Sequence, residues 1–100
     1  MPAKRRPSRQ MLLLLSAFSE GSAEWRHGYD LIKQTGILSG TLYPLLMRMT
    51  EQGIVESKWM QPAQPGRPPR HLYRLTAAGA ALAQAAGEEK VARRRWAVPA

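Results

Sequence analysis

One hundred residues, 44% of them hydrophobic, make one small domain with a single modest core, and a domain of this size often completes its core by pairing with a second copy. A formal net charge of +8 and a pI of about 10.9 put nucleic acid first among partner classes, ahead of anionic membrane and acidic proteins. The lack of cysteine excludes disulfides and cysteine-ligated zinc, and the lone histidines His27 and His71, with no Gly-rich phosphate loop or Ser/His/Asp set, give no ground for a metal, a cofactor or an enzyme.

Lys4, Arg5, Arg6 and Arg9 stand before the apolar run 11–15, which is the outline of a secretory signal. The run ends by Phe18 with no small-x-small cleavage site before Gly21, and a bilayer span needs roughly 20 residues. Residues 1–9 are therefore expected to form a flexible basic arm ahead of a buried first helix, with no membrane segment. The small polar stretch 20–24 reads as a loop. A second helix is predicted from Arg26 to a stop at Gly36, with Tyr29, Leu31 and Ile32 on its apolar side.

The next helix organises the chain. Leu42, Leu45, Leu46 and Met49 fall at i, i+3, i+4 and i+7 and make one apolar stripe; Thr41, Tyr43, Pro44, Met47, Arg48 and Glu51 face away from it. Ser39 or Thr41 can cap its start, and Gly53 can end it in a left-handed conformation. With Thr41 as the cap, Pro44 takes the third helical position, where its missing N–H had no partner. The helix is thus expected over 41–53, with Ser39 and Gly40 shaping the approach and Gly40 letting a phosphate come close. Two helices joined across so short a Gly-containing turn carry the helix-turn-helix signature.

Strands are predicted over 54–61 and 70–75, separated by a stretch whose four prolines forbid a continued ladder. On the second strand, His71, Tyr73 and Leu75 share one face while Arg70, Leu72 and Arg74 share the other. Between Ser57 and Gly87 the chain carries Lys58, Arg67, Arg70 and Arg74 and no acidic residue, so the hairpin is a basic wing with a stiff tip. Thr76 caps an alanine-rich helix over 76–96 whose apolar face is thin, chiefly Leu82, Ala86 and Val91. Small side chains let another helix approach closely, which favours a dimerisation helix over one folded onto the core. Trp96 either anchors that dimer, lines a ligand cleft or ends the helix as a partly exposed aromatic; 97–100 is a tail. The expected fold is mainly α with a small β-hairpin (α+β): a winged helix-turn-helix domain over 10–75, with its recognition helix at 41–53 and its wing at 54–75, plus the C-terminal dimerisation helix.

For a duplex DNA partner, several residues have two readings. Arg48 reaches a guanine edge or a phosphate. Thr41 and Tyr43 suit phosphates, Tyr43 alternatively packing on the neighbouring helix. Tyr29 and Lys33 lie near the backbone of the DNA, with Tyr29 alternatively a core residue. Arg67, held between Gly66 and Pro68, suits a narrow A·T-rich minor groove or a phosphate. Ser39, Gly40 and Arg70 complete the candidate contacts. An RNA-binding or ribosomal role, a protein-interaction module and a membrane-active peptide are the competing classes.

Three motifs, in order, carry a family resemblance: His27-Gly28-Tyr29-Asp30-Leu31-Ile32; then Ser39-Gly40-Thr41-Leu42-Tyr43-Pro44-Leu45-Leu46-x-Arg48-Met49-x-x-x-Gly53-Ile54-Val55; then Gly66-Arg67-Pro68-Pro69-Arg70-His71-Leu72-Tyr73-Arg74-Leu75-Thr76-x-x-Gly79. Over about 12–82 the chain resembles the PadR family. That resemblance implies a bacterial, cytoplasmic, nucleoid-associated regulator of transcription, usually a repressor, binding a near-palindromic operator as a homodimer. It also implies that a small aromatic effector held near the dimer interface releases some members from DNA.

Overall fold

The computed structural model describes residues 8–20 and 24–96. The basic arm with Lys4, Arg5 and Arg6, most of the 20–24 loop, the 97–100 tail and the side chain of Trp96 lie outside the described residues. The elements run α1 (Arg9–Glu20), β1 (Arg26–His27), α2 (Gly28–Thr35), α3 (Ser39–Glu51), β2 (Val55–Met60), β3 (Arg70–Leu75) and α4 (Ala77–Trp96). The strands form one antiparallel sheet in the order β1-β3-β2.

The apolar stripe of α3 behaves as its spacing predicts. Leu42, Leu46 and Met49 are fully buried and Leu45 nearly so, packed with Leu14, Leu15 and Phe18 of α1, Leu31 of α2, Val55 of β2 and Tyr73 of β3. Emptying one of these sites, as in Leu46→Ala, costs about 2–5 kcal/mol, because the surroundings only partly collapse into the cavity. Of the two sheet faces, the one bearing Tyr73 and Leu75 meets this core, while Leu72 is buried outside the main cluster.

Two helix starts differ from expectation. Arg26 and His27 do not begin α2; Arg26 pairs with Tyr73 and His27 with Leu72, making a third, two-residue strand beside the hairpin. His27 then ends that strand and caps the helix, its Nδ1 accepting from the Tyr29 backbone N–H at 3.2 Å. Helix α3 begins at Ser39, not Thr41, because the Leu38 carbonyl accepts from both Thr41 N–H (2.9 Å) and Leu42 N–H (2.8 Å). Leu38 is the N-cap, and neither Ser39 nor Thr41 provides a side-chain cap. Pro44 is therefore the sixth helical residue, inside the helix, and removes the N–H that the Gly40 carbonyl would otherwise bond.

The stops are as expected. Gly36 ends α2 with φ 78°, its N–H reaching the Ile32 carbonyl at 2.8 Å. Gly53, at φ 75°, follows the C-cap Gln52 and donates to Thr50, while Ile54 donates back to Met49 (3.1 and 2.9 Å), the paired bonds of a Schellman motif. That motif takes Ile54 out of the strand, so β2 starts at Val55.

Thr76 joins the end of this unit to α4. Its hydroxyl accepts from Gly79 N–H at 3.0 Å, the N-cap bond, and lies 2.5 Å and 3.2 Å from the Gly53 and Ile54 carbonyls. A Cβ on Gly79 would stand 1.9 Å from the Ile54 carbonyl oxygen, so only glycine lets α4 start here.

Candidate nucleic-acid interface

The outer surfaces of α2, α3 and the wing carry the predicted contact residues. On α2, Tyr29 is exposed rather than in the core, and the Lys33 ammonium lies 5.5 Å from its ring centre, one helical turn along. On α3, Ser39, Gly40, Thr41, Pro44, Met47, Arg48 and Glu51 are all exposed. The Arg48 side chain makes no ion pair or hydrogen bond with the described residues.

Tyr43 packs on the neighbouring helix while part of its ring stays in solvent. It keeps 42% of its surface exposed, and its ring lies against Gly28, where an added Cβ would meet the phenolic oxygen at 2.6 Å. Gly28 is what allows the start of α2 to sit so close to α3. The sequence offered no local signal for this, since the two residues belong to different helices.

The wing divides its four basic residues by position. Near the base, Arg74 pairs with Glu56 at 2.9 Å, and Trp25 is flanked by the Arg74 guanidinium (4.3 Å from the ring centre) and the Lys58 ammonium (4.4 Å). Those two charges serve the sheet. Arg67 and Arg70, beyond the paired segment and at its end, are exposed and make no such contact with the described residues. Gly66, at φ 89°, turns the chain immediately before Arg67. Trp25 was not singled out by its sequence; its only cue is that it continues the β alternation of Arg26 and His27.

On the core-side face, Trp59 stacks on His71 (ring centres 4.3 Å apart, 11° between planes), and His71 leans on Tyr73. The Tyr73 hydroxyl lies 2.9 Å from His71 Nδ1. Burial, and then the neighbouring Tyr43, raise the Tyr73 phenol above its ordinary value of 10.0. This ladder of rings runs from the core out along the wing and stiffens it. At the other end of the sheet, Arg26 donates to Gln34 (3.1 Å) and Gln34 to Glu20, which ties β1 to both α2 and α1.

The residues expected at a dimer or effector surface separate. Leu82 is half-buried against the winged domain's own core, together with Ala83, and Ala86 is half-buried. Val91 is 58% exposed. A groove between α1 and α4, about 520 Å³, is lined by Ser19 on one side and Leu75, Thr76, Ala80, Ala83 and Gln84 on the other. Among the described residues no group of acidic or histidine side chains is placed to hold a metal ion, and no helix is long and apolar enough to cross a membrane.

Two helices joined at Gly36, the second with an open face, followed by a hairpin with projecting arginines, is a winged helix-turn-helix. The sequence profile of the transcriptional regulator PadR-like family matches residues 14–85, which takes in every one of these elements except the start of α1 and the end of α4. The chain belongs to this family. That family is one of transcriptional regulators. A PadR family transcription regulator from Clostridium difficile superposes with a TM-score of 0.72 at 21% identity, over 89% of this chain and 98% of that one, a likeness of fold. A PadR-like transcription factor from Bacteroides fragilis gives 0.64 at 26% identity, over 88% and 85%. NadR in complex with 4-hydroxyphenylacetate gives 0.69 at 27% identity, over 89% of this chain but only 57% of NadR, so the PadR-like chain spans little more than half of that protein. No curated protein matches the sequence.

Proposed function

We propose that this PadR-like chain binds duplex DNA sequence-specifically as a homodimer and represses transcription from a near-palindromic operator. The observation that carries the reading is the state of α3: its apolar stripe is sealed into the core while its opposite face stands open, and Arg67 and Arg70 of the wing are exposed as well. A helix fixed on one side and open on the other can enter a major groove without rearranging. The +8 charge supplies the attraction to phosphate, and in this reading Tyr29, Lys33, Ser39, Gly40, Thr41 and Tyr43 line the approach to the DNA backbone. Arg48 and the wing arginines reach further.

Dimer formation through α4 is supported by exposed apolar side chains on two adjacent helices, Leu12 and Leu13 of α1 and Val91 of α4. In this arrangement the half-sites lie roughly 10 bp apart or a multiple of it. Release by a small aromatic effector is the last part of the proposal. It is supported by the likeness to NadR, whose structure holds 4-hydroxyphenylacetate, and that compound is the first ligand to add.

Selection of bound duplexes from a random pool tests the central claim, and a palindromic winner gives target, symmetry and spacing together. On that duplex, Arg67→Ala is expected to weaken binding and flatten its salt dependence, while Arg48→Ala relaxes sequence preference. Fluorescence anisotropy reads both, and unchanged affinity and salt slope in both variants would refute the mechanism. Sedimentation velocity checks the dimer.

A further inference from the structure

The open face of α3 has an unexpected centre. At about 100° per residue, the direction opposite the buried Leu42, Leu45, Leu46 and Met49 is occupied by Gly40, Pro44, Met47 and Glu51. Thr41 and Arg48 lie on one flank of that row, Tyr43 and Thr50 on the other. The middle of the surface that would face a groove is therefore apolar. Gly40 has open space where a side chain would be, Pro44 is exposed, and Met47 keeps 65% of its surface in solvent.

We propose that this row reads thymine methyl groups, with Met47 as the specificity-determining residue and Pro44 beside it. The inference rests on α3 being the groove-entering helix and names what that helix reads. A thioether and a pyrrolidine ring have no donor for a phosphate oxygen, so the row contributes nothing to backbone attraction. The flanking and wing charges of Arg48, Lys33, Arg67 and Arg70 supply that attraction and press the row against the floor of the groove.

On that floor, the C5-methyl of thymine is the one methyl group; cytosine has only a hydrogen at that position, and the other edges that distinguish the bases are hydrogen-bond donors or acceptors. Covering such an edge with Met47 or Pro44 strips its water and returns no hydrogen bond, which is unfavourable. Covering a methyl is favourable on both sides. Met47 is also unbranched and adaptable, so it can follow a methyl on either strand. Glu51 closes the row at its C-terminal end, where a carboxylate is repelled by phosphate and accepts only from amino edges such as cytosine N4.

The test removes single methyls from the DNA. In the duplex enriched by selection, each thymine of a half-site is replaced in turn by uracil, which differs only in lacking the C5-methyl, and affinity is measured by anisotropy at fixed salt. Uracil at one or two neighbouring positions is expected to weaken the wild-type protein about three- to ten-fold. Met47→Ala should bind the thymine duplex with a similar loss, no longer distinguish uracil from thymine at those positions, and keep the wild-type salt slope. Uracil indifference at every position of a specifically bound duplex would overturn this inference alone, as would full discrimination by Met47→Ala. Enrichment of no duplex would overturn it together with the DNA-binding reading.

Discussion

The two glycines of α4 show how differently its halves are held. Gly79 is buried, with the Ile54 carbonyl in the space of its missing side chain, whereas nothing lies within 4 Å of the same point on Gly87. The first half of the helix is part of the winged domain, sharing Leu82 and Ala83 with its core. Beyond Gly87 the described side chains are exposed. One continuous helix thus has a docked end and an outlying end, and the same residue type is a requirement in the first and a weakness in the second.

Substitutions should separate the halves. The largest effect is expected from Gly79→Ala, where a methyl cannot coexist with the Ile54 carbonyl. Displacing the helix start should cost about 1–3 kcal/mol, seen as a lower urea midpoint. Gly87→Ala should do the reverse: about 0.5–1 kcal/mol of helix propensity gained, with stronger ellipticity at the helical minimum and no loss of DNA affinity. A destabilised Gly87→Ala would show that the outlying half is packed after all.

An effect of similar size lies away from α4, on the docked side of the comparison. Because Tyr73 holds its proton more tightly in the fold than in the unfolded chain, its contribution is whole below pH about 10 and declines as pH rises toward the folded value. Tyr73→Phe should remove that part of the alkaline decline. At neutral pH it should cost only about 0.5–1.5 kcal/mol, for the bond to His71. Urea titrations at neutral and alkaline pH would measure both.

The sequence made legible whatever was local and periodic. The α3 stripe, the stops at Gly36 and Gly53, the Thr76 cap and the β3 span all follow from spacing or from a single residue's conformational preference. What it hid depends on partners distant along the chain. Arg26 and His27 have no period of their own and become a strand only because Tyr73 and Leu72 offer an edge. The start of α3 is not legible because its cap is the bare carbonyl of Leu38, which carries no residue signature, and not a hydroxyl at Thr41. Gly28 and Gly79 are each set by a contact from another element, which no local pattern announces. The basic wing was legible as a total charge, but its division into sheet-bound and projecting residues needed Trp25 in place.

Thr76 turns these local contacts into a mechanical property. Its one hydroxyl touches the carbonyl where α3 has just ended, the carbonyl that leads into β2 and the amide that begins α4. The three elements consequently share a single pivot, and none can tilt without breaking a bond that belongs to the other two. A torque applied to the docked half of α4 would arrive at α3 and β2 as a rotation of the three elements together.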